Sequence, residues 1–178
     1  MKRILSITLL AVAFAVLPVR AQLKLNLDSL TAKAKESVDV SLDGSLLQLA
    51  AKFLSDDKSD DVKAKELISK LKGIYVRSLE FEKEGQYSQA DIDPIRAQLQ
   101  APGWSRIILV REKDEGTEVY LKSEGGQTAG LAIIAFEARE LTVVNIVGPI
   151  DLSQLSGLEG HFGIPAVPAP AAKKRATQ

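Results

Sequence analysis

The residues that could do chemistry are few and scattered. The single His161 stands two positions after Glu159 in the run Leu158-Glu159-Gly160-His161-Phe162-Gly163. An imidazole near a carboxylate is the smallest acid/base pair. In a glycine-rich segment with no second acid, the same residues read more simply as a structural or solvated histidine. The acidic stretch Asp56-Asp57-Lys58-Ser59-Asp60-Asp61 fails as a calcium loop. Started at Asp57, it puts Val62 where the loop needs glycine and Ile68 where it needs a carboxylate. Helix termination and capping explain those acids better. Gly125-Gly126 lies between two β-rich runs with no helix opening behind it, which makes it a hairpin turn rather than a phosphate loop. No serine has a His–acid partner at a recognisable spacing. Trp104, the one tryptophan, reads as a plug at the edge of the core rather than a ligand platform. With no Cys and one His, disulfides, thiolate or multi-His metal centres and Cys-linked lipid anchors are excluded. The residues point to no catalytic, cofactor-binding or metal-binding site.

The elements that would position any site begin after a processing signal. Lys2 and Arg3 precede an apolar run from Ile4 to Leu17, which is short for a membrane span. Pro18 breaks it, and Val19 and Ala21 are the small residues of a cleavage site, so cleavage is expected between Ala21 and Gln22. An uncleaved N-terminal anchor is the alternative. Ala166 to Gln178 (AVPAPAAKKRATQ) has no large apolar residue beyond Val167 and reads as a disordered tail. The expected division is a signal over 1–21, one domain over 22–165 and a tail over 166–178, with no transmembrane segment after cleavage.

The 23 basic and 23 acidic residues cancel, but unevenly. Lys2, Arg3 and Arg20 lie in the signal and Lys173, Lys174 and Arg175 in the tail, leaving 17 basic against 23 acidic residues, or −6, in the body. An exported, acidic body disfavours nucleic acid as a partner.

Within the body, Asp28 can cap a short helix and Val38–Leu42 alternates like a strand. Ser45–Leu54 is a helix whose Leu46, Leu49, Ala50 and Phe53 fall on one stripe, expected to be buried. A second helix, with Ser59 as its cap, turns Ala64, Leu67, Ile68 and Leu71 inward and ends at Gly73. Ile74–Glu82 alternates and is read as a strand near an edge. Ser88 and Asp91 form a capping pattern for a third helix, with Asp93-Pro94 as an alternative start. Four β-rich runs follow, Trp104–Arg111, Thr117–Ser123, Thr128–Glu137 and Leu141–Val147, joined by short turn-like links as a four-strand meander. A last helix is expected after Asp151, with Leu152, Leu155 and Leu158 as its apolar side.

The fold class is therefore α+β: an antiparallel sheet of about five strands with helices packed mainly on one face. Three of the meander strands are apolar on both parities, so they want cover on both faces. The chain's own segments, a second copy or a partner could supply that cover.

Three segments carry a resemblance: "VDVSLDGSLLQLAAKFLSDD" (Val38–Asp57), "LKGIYVRSLEFEKEGQYSQADIDPIRAQLQAPGWSRI" (Leu71–Ile107) and "LTVVNIVGPIDLSQLSGLEGHFGIP" (Leu141–Pro165). Over about residues 25–165 the chain resembles the domain-of-unknown-function 4252 family of bacterial exported proteins. Many members look like lipoproteins; this chain lacks the Cys that requires, which implies a soluble or loosely attached member. Relatives are similar to proteins encoded near extracytoplasmic sigma factors and anti-sigma partners, which implies envelope sensing. The resemblance carries over no catalytic residue. The expected function is a periplasmic or extracellular, non-catalytic binding module of the bacterial envelope, acting through a sheet face or edge on an envelope protein or a second copy. The alternatives are a regulatory partner of a sigma/anti-sigma system and a carboxylate-based envelope hydrolase using Glu159 and His161.

Overall fold

The computed structural model describes residues 25–150. The elements run α1 (Asp28–Thr31), β1 (Glu36–Asp43), α2 (Gly44–Ala51), α3 (Ser59–Lys70), β2 (Gly73–Glu80), α4 (Gln89–Gln98), β3 (Trp104–Glu112), β4 (Glu115–Glu124), β5 (Gln127–Phe136) and β6 (Glu140–Val147). The strands form one antiparallel sheet in the order β1-β2-β6-β5-β4-β3. The meander β3–β6 is present as the short links require. Gly125 and Gly126 turn β4 into β5 with φ of 58° and 78°, a region glycine enters without steric cost.

The sheet has six strands rather than about five, because Glu36–Asp43 adds to the outside of β2. That addition moves β2 off the edge: it pairs with β1 on one side and β6 on the other. Helices also cover both faces rather than mainly one. Leu47 and Ala51 of α2 and Ala64, Leu67 and Ile68 of α3 pack on Ile74, Val76, Val119, Ile133 and Val144. On the opposite parity of the same strands, Leu79, Tyr120, Ile134 and Val143 are buried under Leu27, Leu30, the α4 residues Ile92 and Ile95, and Leu99 just after α4. Of the three strands that are apolar on both parities, β5 and β6 are therefore covered twice by the chain itself, while the edge strand β3 is not.

Local signals explain how the helices dock. The Asp43 carboxylate ends β1 and accepts the Ser45 and Leu46 backbone N–H groups, each at 3.0 Å, which starts α2 directly from the strand. Ser88 opens α4: its N–H and hydroxyl donate to the Asp91 carboxylate at 2.9 and 2.8 Å. Pro94 thus lies inside α4 and is not its start. Ser59 is the first residue of α3, and Lys58 takes the cap position expected for Ser59.

Candidate interaction surface

One buried charge organises the α4 side of the sheet. Glu118 stands mid-β4 opposite Ile134 on one side and Leu109 on the other, and it is fully buried. Arg96 reaches down from α4 and donates two hydrogen bonds to Glu118 Oε1, from Nε at 2.9 Å and Nη2 at 2.6 Å. The Tyr120 hydroxyl donates to Oε2 at 2.6 Å. Arg106 and Arg111 of β3 hold their guanidinium groups 3.6 and 3.7 Å from the same carboxylate while their side chains are about half exposed (45 and 49%). Arg96 is further braced by Asp93 at 2.8 Å and Gln89 at 2.6 Å.

Burial alone would raise the Glu118 pKa, but the hydrogen bonds from Arg96 and Tyr120 outweigh it, and the carboxyl is held below its ordinary range. For Arg96, burial lowers the pKa and the Glu118 and Asp93 bonds more than restore it, giving a net rise. Burial, with Glu118 beside it, pushes the Tyr120 hydroxyl up. The group is a charged carboxylate with a saturated hydrogen-bond shell, so it fixes α4 on the sheet. Arg106 also bonds the Tyr120 hydroxyl and Arg111 Nη2 reaches Gln89 Oε1 at 3.5 Å, contacts that use only part of the five N–H donors of each guanidinium.

The apolar surface left uncovered lies elsewhere. Leu46, Leu49 and Phe53 are exposed (45, 50 and 83%), although they fall on the stripe that the sequence marks for burial. The buried side of α2 is instead Leu47 and Ala51, with Leu54 partly covered. In the edge strand β3, Ile107, Leu109 and Val110 are also exposed. A shallow cleft beside residues 25–27 is lined by Asp39, Tyr75, Arg77 and Asn145 among others. There the Arg77 guanidinium is held by Asp39 at 2.7 Å.

Several expected site residues lie outside the described range: the cleavage pair Ala21 and Gln22, Glu159 and His161, the expected last helix and the tail. Among the described acids, Asp56 pairs with Lys65 at 2.6 Å and Asp61 accepts the Ser55 N–H at 3.0 Å, so both tie α3 to the preceding loop. No three His, Cys, Asp or Glu side chains converge to hold a metal ion among the described residues. Among those residues, too, no helix is long and apolar enough to cross a membrane. Trp104 is half-buried at the start of β3 and packs against the α4-side core.

The Glu118 cluster escaped the sequence reading. In Thr117-Glu118-Val119-Tyr120 an acid alternates with Val119 and looks solvent-facing. The available signal was next door: β5 is apolar on both parities, so the acid paired beside it had to be covered and needed a cation.

A comparison with curated proteins gives no match. A family model described as "Domain of unknown function (DUF4252)" matches residues 31–158, which spans every strand and helix described except the first turn at Asp28. The chain belongs to the DUF4252 family.

Proposed function

We propose that this protein is an exported, non-catalytic interaction module of the bacterial cell envelope, acting after cleavage between Ala21 and Gln22. The observation that carries the reading is the outer stripe of α2. Both faces of the central strands are covered from within the chain, yet Leu46, Leu49 and Phe53 are left exposed. Burying such side chains is worth about 1.5–3 kcal/mol each, so leaving three in water along α2 and the turn that follows it favours a surface that is covered on association. The central part of each sheet face is filled, so the helix stripe and the strand edge carry the reading here. The described charges support a binding role over a catalytic one, because the buried carboxylate is locked by Arg96 and Tyr120 rather than held free for proton transfer.

The test has two parts. Intact mass of the chain recovered from an envelope fraction should begin at Gln22; a mass retaining Met1–Ala21 would contradict the export reading. Affinity purification from solubilised envelope should then retain a discrete protein with the wild-type chain and lose it with the Leu49→Ser/Phe53→Ser variant. Equal recovery with both would remove the α2 stripe from the account.

A further inference from the structure

The edge strand β3 pairs with β4 on one side and has no strand on its other side among the described residues. It is nine residues long, about 30 Å of strand, and an unpaired edge of that length is a template for another extended chain. A register shift between Arg106 and Ile108 changes the parity of the strand. As a result Arg106, Leu109 and Arg111 stand against Tyr120, Glu118 and Gly116, three alternate positions of β4 that share one face. The exposed part of that face therefore reads cation, apolar, cation at successive sites. It does so on a body whose net charge is −6. Glu118 holds one nitrogen of each guanidinium at 3.6–3.7 Å, Arg106 also bonds the Tyr120 hydroxyl and Arg111 Nη2 reaches Gln89 Oε1 at 3.5 Å, so the arginines are positioned in advance.

We propose that β3 takes an extended, acidic segment of a partner protein by strand addition, with acidic side chains at the first and fifth positions and an apolar one at the third. Resting on the interaction reading above, this names the chemistry of a partner. An added strand presents every second residue to one face, so positions one, three and five meet Arg111, Leu109 and Arg106 together. Two other occupants fit worse. A second copy paired antiparallel about Leu109 sets each copy's Arg106 against the other copy's Arg111, and like charges directly opposite destabilise a strand pair. The chain's own tail carries Lys173, Lys174 and Arg175, which the same arginines repel. The arginines thus blunt self-association of the edge and select acidic chains in one arrangement.

The test uses the mature chain from Gln22 to Gln178 and two synthetic peptides. One carries Glu, Val and Glu at alternate positions of a Thr-rich, otherwise uncharged strand; in the other both Glu are Lys. Trp104, the only tryptophan, begins β3 and reports binding by its fluorescence. The Glu peptide should bind saturably, weaken with added salt, and bind about tenfold less tightly to Arg106→Gln/Arg111→Gln. Arg106→Glu/Arg111→Glu should prefer the Lys peptide. Circular dichroism and thermal melts check that each variant is folded, and the Gln variant keeps the Arg96–Glu118 bonds intact. Equal binding of both peptides to the wild type, no saturable binding, or unchanged binding to the folded Gln variant would overturn the proposal. If those failures occur while Leu49→Ser/Phe53→Ser still loses its envelope partner, only the edge proposal falls.

Discussion

At the scale of single residues, Glu118 is the strongest constraint on the molecule. It is fully buried and charged, and Arg96 supplies two of its hydrogen bonds. Removing one member of such a pair leaves the other buried and uncompensated, whereas replacing both by apolar groups is close to neutral. Arg96→Met should therefore lower unfolding free energy by about 3 kcal/mol, and Arg96→Met/Glu118→Leu should recover most of that loss, measured by urea denaturation. A double variant no more stable than the single one would show that Arg96 acts through packing alone. The pair also sets a pH dependence. Because the Glu118 pKa is depressed in the folded state, its contribution is fully present above the ordinary carboxylate value near 4.5 and is lost as pH falls through the folded value. The wild-type urea midpoint should drop more steeply below about pH 5 than that of the double variant, and parallel slopes would contradict the assignment. Neither partner was legible from sequence spacing, since Arg96 and Glu118 lie 22 positions apart on a helix and a strand that only the fold brings together.

At the scale of elements, the strands were easier to read than the helix faces. The meander was legible because turn residues at Lys113-Asp114 and Gly125-Gly126 punctuate β-rich runs. The alternation of β2 reads as an edge strand because its pairing with Glu36–Asp43, some 40 positions upstream, is a long-range event. In α2 the ambiguity is physical. Leu46, Leu49, Ala50 and Phe53 have helical spacing, and so do Leu47, Ala50, Ala51 and Leu54. Periodicity cannot choose between two apolar stripes on one short helix. The cap chooses: Asp43, locked into β1 opposite Gly73, fixes the phase in which α2 leaves the strand, and that phase buries Leu47. Leu47→Ala should cost about 3 kcal/mol, while Leu49→Ala should stay within about 0.5 kcal/mol. Thermal and urea melts of the two variants decide between the stripes; the reverse order would return the buried side to Leu49.

At the scale of the whole molecule, the neutral total of 23 basic and 23 acidic residues conceals an acidic body with basic ends. On that body the exceptions are local: an apolar stripe on α2, and an edge strand with Arg106 and Arg111 either side of exposed Leu109. Both faces of the central strands are filled from within, so the exposed apolar surface lies on these outer features. The central claim is that the α2 stripe meets an envelope protein. The most direct measurement places a photo-reactive amino acid at position 53, and at the exposed position 84 as a control, in the chain expressed in intact cells. Irradiation should give a discrete high-mass adduct from position 53 and none from position 84. No adduct from position 53, or the same adducts from both positions, would contradict the account.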